Sequence, residues 1–307
     1  MKQLGLNQLV FIQLGLHSIE VILMTVVLKI GGARAVDPAG AIGDVASLVE
    51  DGEEVIVVHG GSTAVDDTLE QLGEEPTYVE TPSGVVGRFT DEKTIDVFKM
   101  VLPGRLNTDI VAALQNNDVD AVGLSGVDGK VLSGPRKSAV RVVEDGKRKI
   151  KRGDHSGIIK SVNDDLLTTL LSGGYTPVVT VPMLGKDDDR WLPVNADADR
   201  AAAAIAGAVD GDLVLLTDVP GVLEDPDDPE TIIEQANTPE ELEKIESAAE
   251  GFMKRKIMAA KESIESGASR VIIGDANTEM PVQSALDGAG THIKNTAVPD
   301  QTEGSKE

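Results

Sequence analysis

The stretch 26-VVLKIGGARAV-36 begins apolar, then places a lysine two positions ahead of a glycine pair. Lysine is a poor occupant of a buried strand, and Gly-Gly is a poor way to continue one. The segment therefore reads as the end of a strand, with a charge set where the strand gives way to a loop. A second stretch, 55-VIVVHGGS-62, repeats the pattern of strand, glycine pair and helix start.

Working outward, apolar β-rich runs at 26–30, 54–58, 120–124, 177–181, 213–217 and 270–273 alternate with helical patterns. Helices are expected near 38–50, 63–72, 91–99, 105–116, 160–172, 198–209, 239–247 and 252–266. Such alternation predicts an α/β fold, a three-layer α/β/α sandwich around a mainly parallel central sheet. In 139-AVRVVEDGKRKIKR-152, two alternating runs flank Asp145-Gly146, which predicts a β-hairpin on the N-terminal lobe. The segment 182-PMLGKDDDRWLP-193 reads as a loop between lobes. The expected organisation is an N-terminal extension at 1–23, an N-terminal lobe at 24–190, a C-terminal lobe at 191–293 and a disordered tail at 294–307. The first 23 residues lack a small-residue cleavage site. They read as an extended start ahead of Met24, with a short oligomerisation helix as the rival.

Composition narrows the chemistry. The 307 residues include no cysteine, which excludes disulfides and thiolate metal sites. Four scattered histidines, His17, His59, His155 and His292, give no zinc-ligand spacing. Net charge is −24, a field that repels nucleic acid and anionic membranes and matches proteins of a high-salt cytoplasm. No nucleic-acid or membrane partner and a cytoplasmic location are expected. Against that field, residues 136–152 carry eight basic residues and two acidic ones. The basic residues are Arg136, Lys137, Arg141, Lys147, Arg148, Lys149, Lys151 and Arg152. They form either a solvated hairpin or a docking patch for a small acidic protein.

No P-loop motif and no strand-anchored G-x-G-x-x-G is present. Glycine pairs at strand ends remain as anion cradles, because backbone N–H groups approach phosphate where no Cβ intervenes. Three later blocks complete the set: 194-VNADADRAAAAIAGA-208, 213-LVLLTDVPGVL-223 and 251-GFMKRKIMAAKESIESG-267. Each has a structural reading as well. Asn195, Asp197 or Asp199 suits a helix cap, Pro-Gly a turn, and Lys256 a solvated helix face.

Taken in order, K-I-G-G, H-G-G-S, G-R-F-T at 87–90, V-N-A-D, T-D-V-P-G-V and G-x-M-x-x-K-I-x-A-A resemble the amino acid kinase family, over roughly residues 25–293. The acetylglutamate kinase group is most similar. Within it, residues 121–163 resemble the archaeal-type kinases that act on glutamate or 2-aminoadipate linked to an amino-group carrier protein. The resemblance implies transfer of the ATP γ-phosphate to a side-chain carboxylate, with Mg2+ and a homodimer. Two unit charges about 3.5 Å apart at an effective dielectric near 20 repel by roughly 5 kcal/mol, so cations matter more than a base.

By that resemblance Lys29 and Lys256 flank the phosphoryl group, with Asp197 holding both. Gly31 and Gly32 serve the nucleotide phosphates. Gly60, Gly61, Ser62, Arg88 and Asn195 serve the substrate. Thr217, Asp218, Val219, Pro220, Gly221, Val222 and Leu223 contact the nucleotide. Where the acetylglutamate kinases usually carry an asparagine two residues before the one matching Asn195, this chain has Pro193, which points away from free N-acetylglutamate. That free acetylated amino acid is the alternative substrate; a non-catalytic nucleotide-binding regulator on the same fold is the second alternative.

Overall fold

The computed structural model describes residues 24–31, 38–82, 84, 86–144, 146–249 and 251–298. Gly32, Asp145 and the expected extension at 1–23 lie outside them, as do residues 299–307.

The chain begins with β1 (Thr25–Ile30), α1 (Pro38–Glu50), β2 (Glu54–His59) and α2 (Ser62–Gln71). A two-stranded ribbon follows, β3 (Tyr78–Glu80) and β4 (Val86–Arg88), then α3 (Glu92–Lys99). A π-helical turn at Met100–Leu106, containing Pro103, joins α3 to α4 (Asn107–Gln115). Next come β5 (Ala121–Gly126), the long pair β6 (Leu132–Glu144) and β7 (Lys147–Gly157), β8 (Ser161–Val162) and α5 (Asp164–Ser172). They are followed by β9 (Thr176–Asp187), β10 (Arg190–Val194), α6 (Ala198–Ala208) and β11 (Asp212–Thr217). The chain continues through β12 (Gln235–Ala236), α7 (Pro239–Ala248), α8 (Gly251–Glu265), β13 (Arg270–Asp275), α9 (Pro281–Leu286) and β14 (Thr291–Lys294).

One sheet runs β12-β14-β13-β11-β1-β2-β9-β6-β7, with β5 and β10 also paired to β9. Its centre, from β13 through β11, β1 and β2 to β9, is parallel. These strands are apolar on both faces because helices cover both. On one side Val26, Leu28, Val55 and Val57 pack with α1, α4 and α9. On the other, Val27, Ile56 and Val58 pack with α2, α3, α5, α6, α7 and α8. The expected three-layer sandwich is therefore present, and all six expected strands are found.

Strand periodicity then fixes the direction of the lysine. Side chains alternate between faces with period two, so Lys29 shares the face of Val27 and points toward the layer holding α6 and α8. All the central parallel strands end on one side, and Lys29 stands one residue before the end of β1.

Two expectations need correction. Residues 182–193 are not a loop: β9 runs to Asp187 and β10 returns antiparallel to it, with Pro193 opposite Leu184. Gly185 makes this return possible, since a Cβ there would meet Val194 at 2.6 Å. The polar residues that suggest a loop are confined to its tip. Nor does the fold stop at 293, because β14 ends at Lys294 and Ala297 beyond it is fully buried.

Candidate active site

Lys29 is buried, and its Nζ lies 2.7 Å from Oδ1 of Asp199. Lys256 reaches the other oxygen of the same carboxylate from α8, Nζ to Oδ2 3.3 Å. Asp199 thus stands between two ammonium groups. Burial works to raise its pKa, but Lys29 and then Lys256 outweigh burial and hold it at about 2, against an ordinary 3.8. Burial, reinforced by the neighbouring Lys29 charge, pulls Lys256 below its ordinary value despite Asp199. All three side chains are largely removed from water, Lys29 at 7%, Asp199 at 14% and Lys256 at 12% exposure.

The bridging position was expected for Asp197. The structure gives it to Asp199, and Asp197 instead caps α6, its carboxylate accepting from the Arg200 N–H at 3.0 Å. Asp197 is the last residue before the helix and Asp199 the second residue within it. At 100° per residue they point nearly opposite ways. Anchored on Asp199, the motif shifts by two residues. Asn195 then takes the place first given to Pro193, and Asp197 takes the place first given to Asn195, so the departure moves from a proline to an aspartate.

The second glycine turn sits beside this cluster. A Cβ on Gly60 would stand 3.4 Å from the Ala198 Cβ, at the start of α6. One on Gly61 would meet Leu106 at 2.3 Å and Leu102 at 2.7 Å, both in the π-helical turn. Glycine is required here by close approach. His59, directly before the turn, is buried and neutral. Burial above all lowers its pKa to about 4, the Gly60 carbonyl opposes this, and Lys29 adds to it. Its Nε2 lies 3.1 Å from the Asn107 Nδ2 donor, which makes Nδ1 the protonated nitrogen that donates to the Gly60 carbonyl at 2.9 Å.

Arg88 ends β4 with its guanidinium enclosed. It pairs with Asp66 and donates to the Tyr78 hydroxyl at 2.8 Å and the Ser62 carbonyl at 3.3 Å. Its charge lies 4.9 Å from the Tyr78 ring centre and 5.6 Å from that of Phe98. Tyr78 also donates to Asp66 at 2.8 Å, and burial together with that bond raises its pKa above the ordinary 10. Sequence reasoning missed Asp66, Tyr78 and Phe98. They lie on α2, β3 and α3, so only the fold brings them together. Arg255, the neighbour of Lys256, donates to the Val86 carbonyl of β4 at 3.0 Å and ties α8 to this ribbon.

Asn195 lies at the end of β10, and its Nδ2 donates to the Thr90 hydroxyl at 3.0 Å. On the far side of β1, Thr217 and the exposed Asp218 end β11, joined by a 3.1 Å hydrogen bond. Gly221 is packed tightly, with Thr291 Oγ1 only 2.7 Å from where a Cβ would sit. Val222 is not a surface for a ligand. Its side chain is in the core, its N–H donates to Thr291 and its carbonyl accepts from Ile233.

The basic hairpin is longer than expected and uses some of its charge internally. Arg136 pairs with Asp187 at 2.7 Å and donates twice to the Asp154 carbonyl, so it braces the hairpin base rather than facing a partner. Lys149 pairs with Glu144, and Lys151 stands 4.3 Å from the Phe89 ring centre. Arg141, Lys147, Arg148 and Arg152 stay on the outer, solvent-facing part.

The chain as a whole is similar to known proteins. The aminoadipate kinase of Thermus thermophilus named for LysW is 40% identical over 275 residues, covering 88% of this chain and all of that one. The acetylglutamate kinase of Methanopyrus kandleri is 41% identical over 271 residues, covering 87% and 99%. Among solved structures, Neisseria gonorrhoeae N-acetylglutamate synthase shares the fold at TM-score 0.67 and 24% identity, over 88% of this chain and 59% of that one. Giardia lamblia carbamate kinase does so at TM-score 0.64 and 17% identity, over 88% and 98%. The profile of the Amino acid kinase family matches residues 24–275, and the chain belongs to that family.

Proposed function

We propose that the protein is an ATP-dependent kinase that phosphorylates the side-chain carboxylate of 2-aminoadipate or glutamate carried on a small acidic protein. A carboxylate oxygen bonds to the γ-phosphorus as the bond to the departing ADP oxygen breaks, leaving an acyl phosphate. The observation that carries this reading is the buried Lys29–Asp199–Lys256 cluster. Its two cations neutralise the charge of the transferring phosphoryl group, and Asp199 keeps them spaced and protonated before the nucleotide arrives. Gly31, Gly60 and Gly61 give N–H groups room to approach oxygen atoms, and Arg88 and Asn195 line the substrate side. The exposed Asp218 and the Val219–Pro220 turn meet the nucleotide. Among the described residues no three histidine or carboxylate side chains group to hold a metal, so magnesium would be held chiefly by the phosphates. Substrate binding belongs mainly to residues 24–190, joined by Asn195, and ATP binding mainly to 191–293, joined by Gly31, and the working unit is a homodimer.

The carrier is supported by relatives whose names specify LysW, including the aminoadipate/glutamate kinase of Metallosphaera sedula at 34% identity. It is also supported by the outer cations of the hairpin, which stand out on a chain of charge −24. A second reading, phosphorylation of free N-acetylglutamate, is favoured by the Methanopyrus relative and by the placement of Asn195. ADP release at high potassium chloride separates the two, with free N-acetylglutamate compared against both carrier-linked amino acids. Turnover confined to the loaded carrier, reduced about 10²-fold or more by Lys29→Ala or Lys256→Ala, is expected. Equal turnover of free N-acetylglutamate would transfer the assignment to the second reading.

A further inference from the structure

Asp154 is a fully buried carboxylate outside the cluster just described. It lies on β7 near the base of the basic hairpin. Its Oδ1 accepts the Thr90 N–H at 3.0 Å, and its Oδ2 accepts the Ser156 hydroxyl. Burying a carboxyl group is costly unless its oxygens find hydrogen-bond donors, so its partners are informative. Thr90 is itself fully buried, lies two residues after Arg88, and accepts the Asn195 amide on its hydroxyl.

The main chains are joined at the same point. His155 donates its N–H to the Thr90 carbonyl at 2.6 Å, and Asn195 donates to the His155 carbonyl at 2.7 Å. Gly157 then donates to the Asn195 carbonyl at 2.8 Å. The returning strand of the hairpin is thereby fastened to both substrate-side segments, 88–90 and 195. Arg136 secures the other side through the Asp154 carbonyl.

We infer that Asp154 is a positioning residue: through Thr90 it orients the Asn195 amide toward the bound carboxylate substrate and links the hairpin to that pocket. The inference rests on the kinase reading and names residues that set its substrate affinity. Asp154 touches no reacting atom. Its loss should move the substrate side of the kinetics and leave the nucleotide side alone, a split that loss of stability alone would not produce.

The test measures kcat and both KM values by ADP release, with carrier-linked 2-aminoadipate and N-acetylglutamate as probes. Calorimetric Kd values for the same probes are measured without nucleotide. Asp154→Ala and the isosteric Thr90→Val should each weaken carboxylate binding about tenfold, the usual effect of one positioning hydrogen bond. KM for ATP and kcat should hold within about twofold. Asp154→Asn keeps an acceptor for the Thr90 N–H and should restore most of the affinity. Because the route runs through Asn195, adding Thr90→Val to Asn195→Ala should cost little more. Where Asp154→Ala does not fold, Thr90→Val decides. Unchanged Kd and KM in Thr90→Val, equal losses for ATP and carboxylate, or full additivity with Asn195→Ala would overturn the inference. A wild type that binds a probe without releasing ADP would refute the kinase reading and leave the binding test of Asp154 standing.

Discussion

Acid should destabilise this protein well before its carboxylates are titrated, and the cause is His59. The ring is 2% exposed and already uses both nitrogens, one toward Gly60 and one toward Asn107. A second proton would leave Nε2–H facing the Asn107 donor and a positive charge beside Lys29. The folded pKa is about 4 and the ordinary value 6.5. As pH falls below 6.5 the unfolded chain takes up the proton first, so its free energy drops relative to the folded state. The stability contribution is complete above 6.5 and is lost as pH falls to about 4. At about 1.4 kcal/mol per pH unit, that interval is worth about 3 kcal/mol. Urea unfolding at fixed potassium chloride, from pH 7.5 to 4, measures it against His59→Gln, which cannot titrate. Carboxylates common to both chains cancel in the difference. Parallel loss of stability in the two proteins would refute the reasoning.

Exchanging the two acids of α6 separates their roles. Asp199→Asn should lower kcat about 10²-fold, while Asp197→Asn should act mainly on helix capping, costing about 1 kcal/mol or less in a thermal melt. Gly61→Ala forces a methyl group against Leu106 and Leu102 and should cost about 1–3 kcal/mol by urea unfolding. Reversing Lys147 and Arg148 to glutamate should raise KM for the carrier-linked substrate about tenfold in steady-state assays. The same change should leave KM for ATP as it was.

Lys29 stood out from its own surroundings, a strand end followed by glycines. Lys256, on a helix face, stood out only through the resemblance of the ordered blocks. The structure brings both to one carboxylate. The choice between Asp197 and Asp199 was not legible, since both are acidic, two residues apart and next to one helix start. Only the direction of the first helical turn separates them. The sheet centre could be read because β1, β2, β9, β11 and β13 are apolar on both faces. β10 could not, because its pairing with β9 depends on Gly185 admitting Val194. The enclosure of Arg88 by Asp66, Tyr78 and Phe98 is a product of three separate elements. Arg136 looked like any other hairpin cation until its pairing with Asp187 was visible.

The Asp199 cluster also bears on how the protein would respond to its ionic surroundings. Counter-ions collapse fields across solvent within a few ångströms at molar salt but penetrate poorly between buried groups. The proposed clamp on the phosphoryl group is of the second kind, and the outer hairpin cations are of the first. Rising salt should therefore erode recognition at the rim while the bond-making step inside proceeds at its own rate. In such a molecule ionic strength sets how often the reaction begins and has little influence on how fast it then runs.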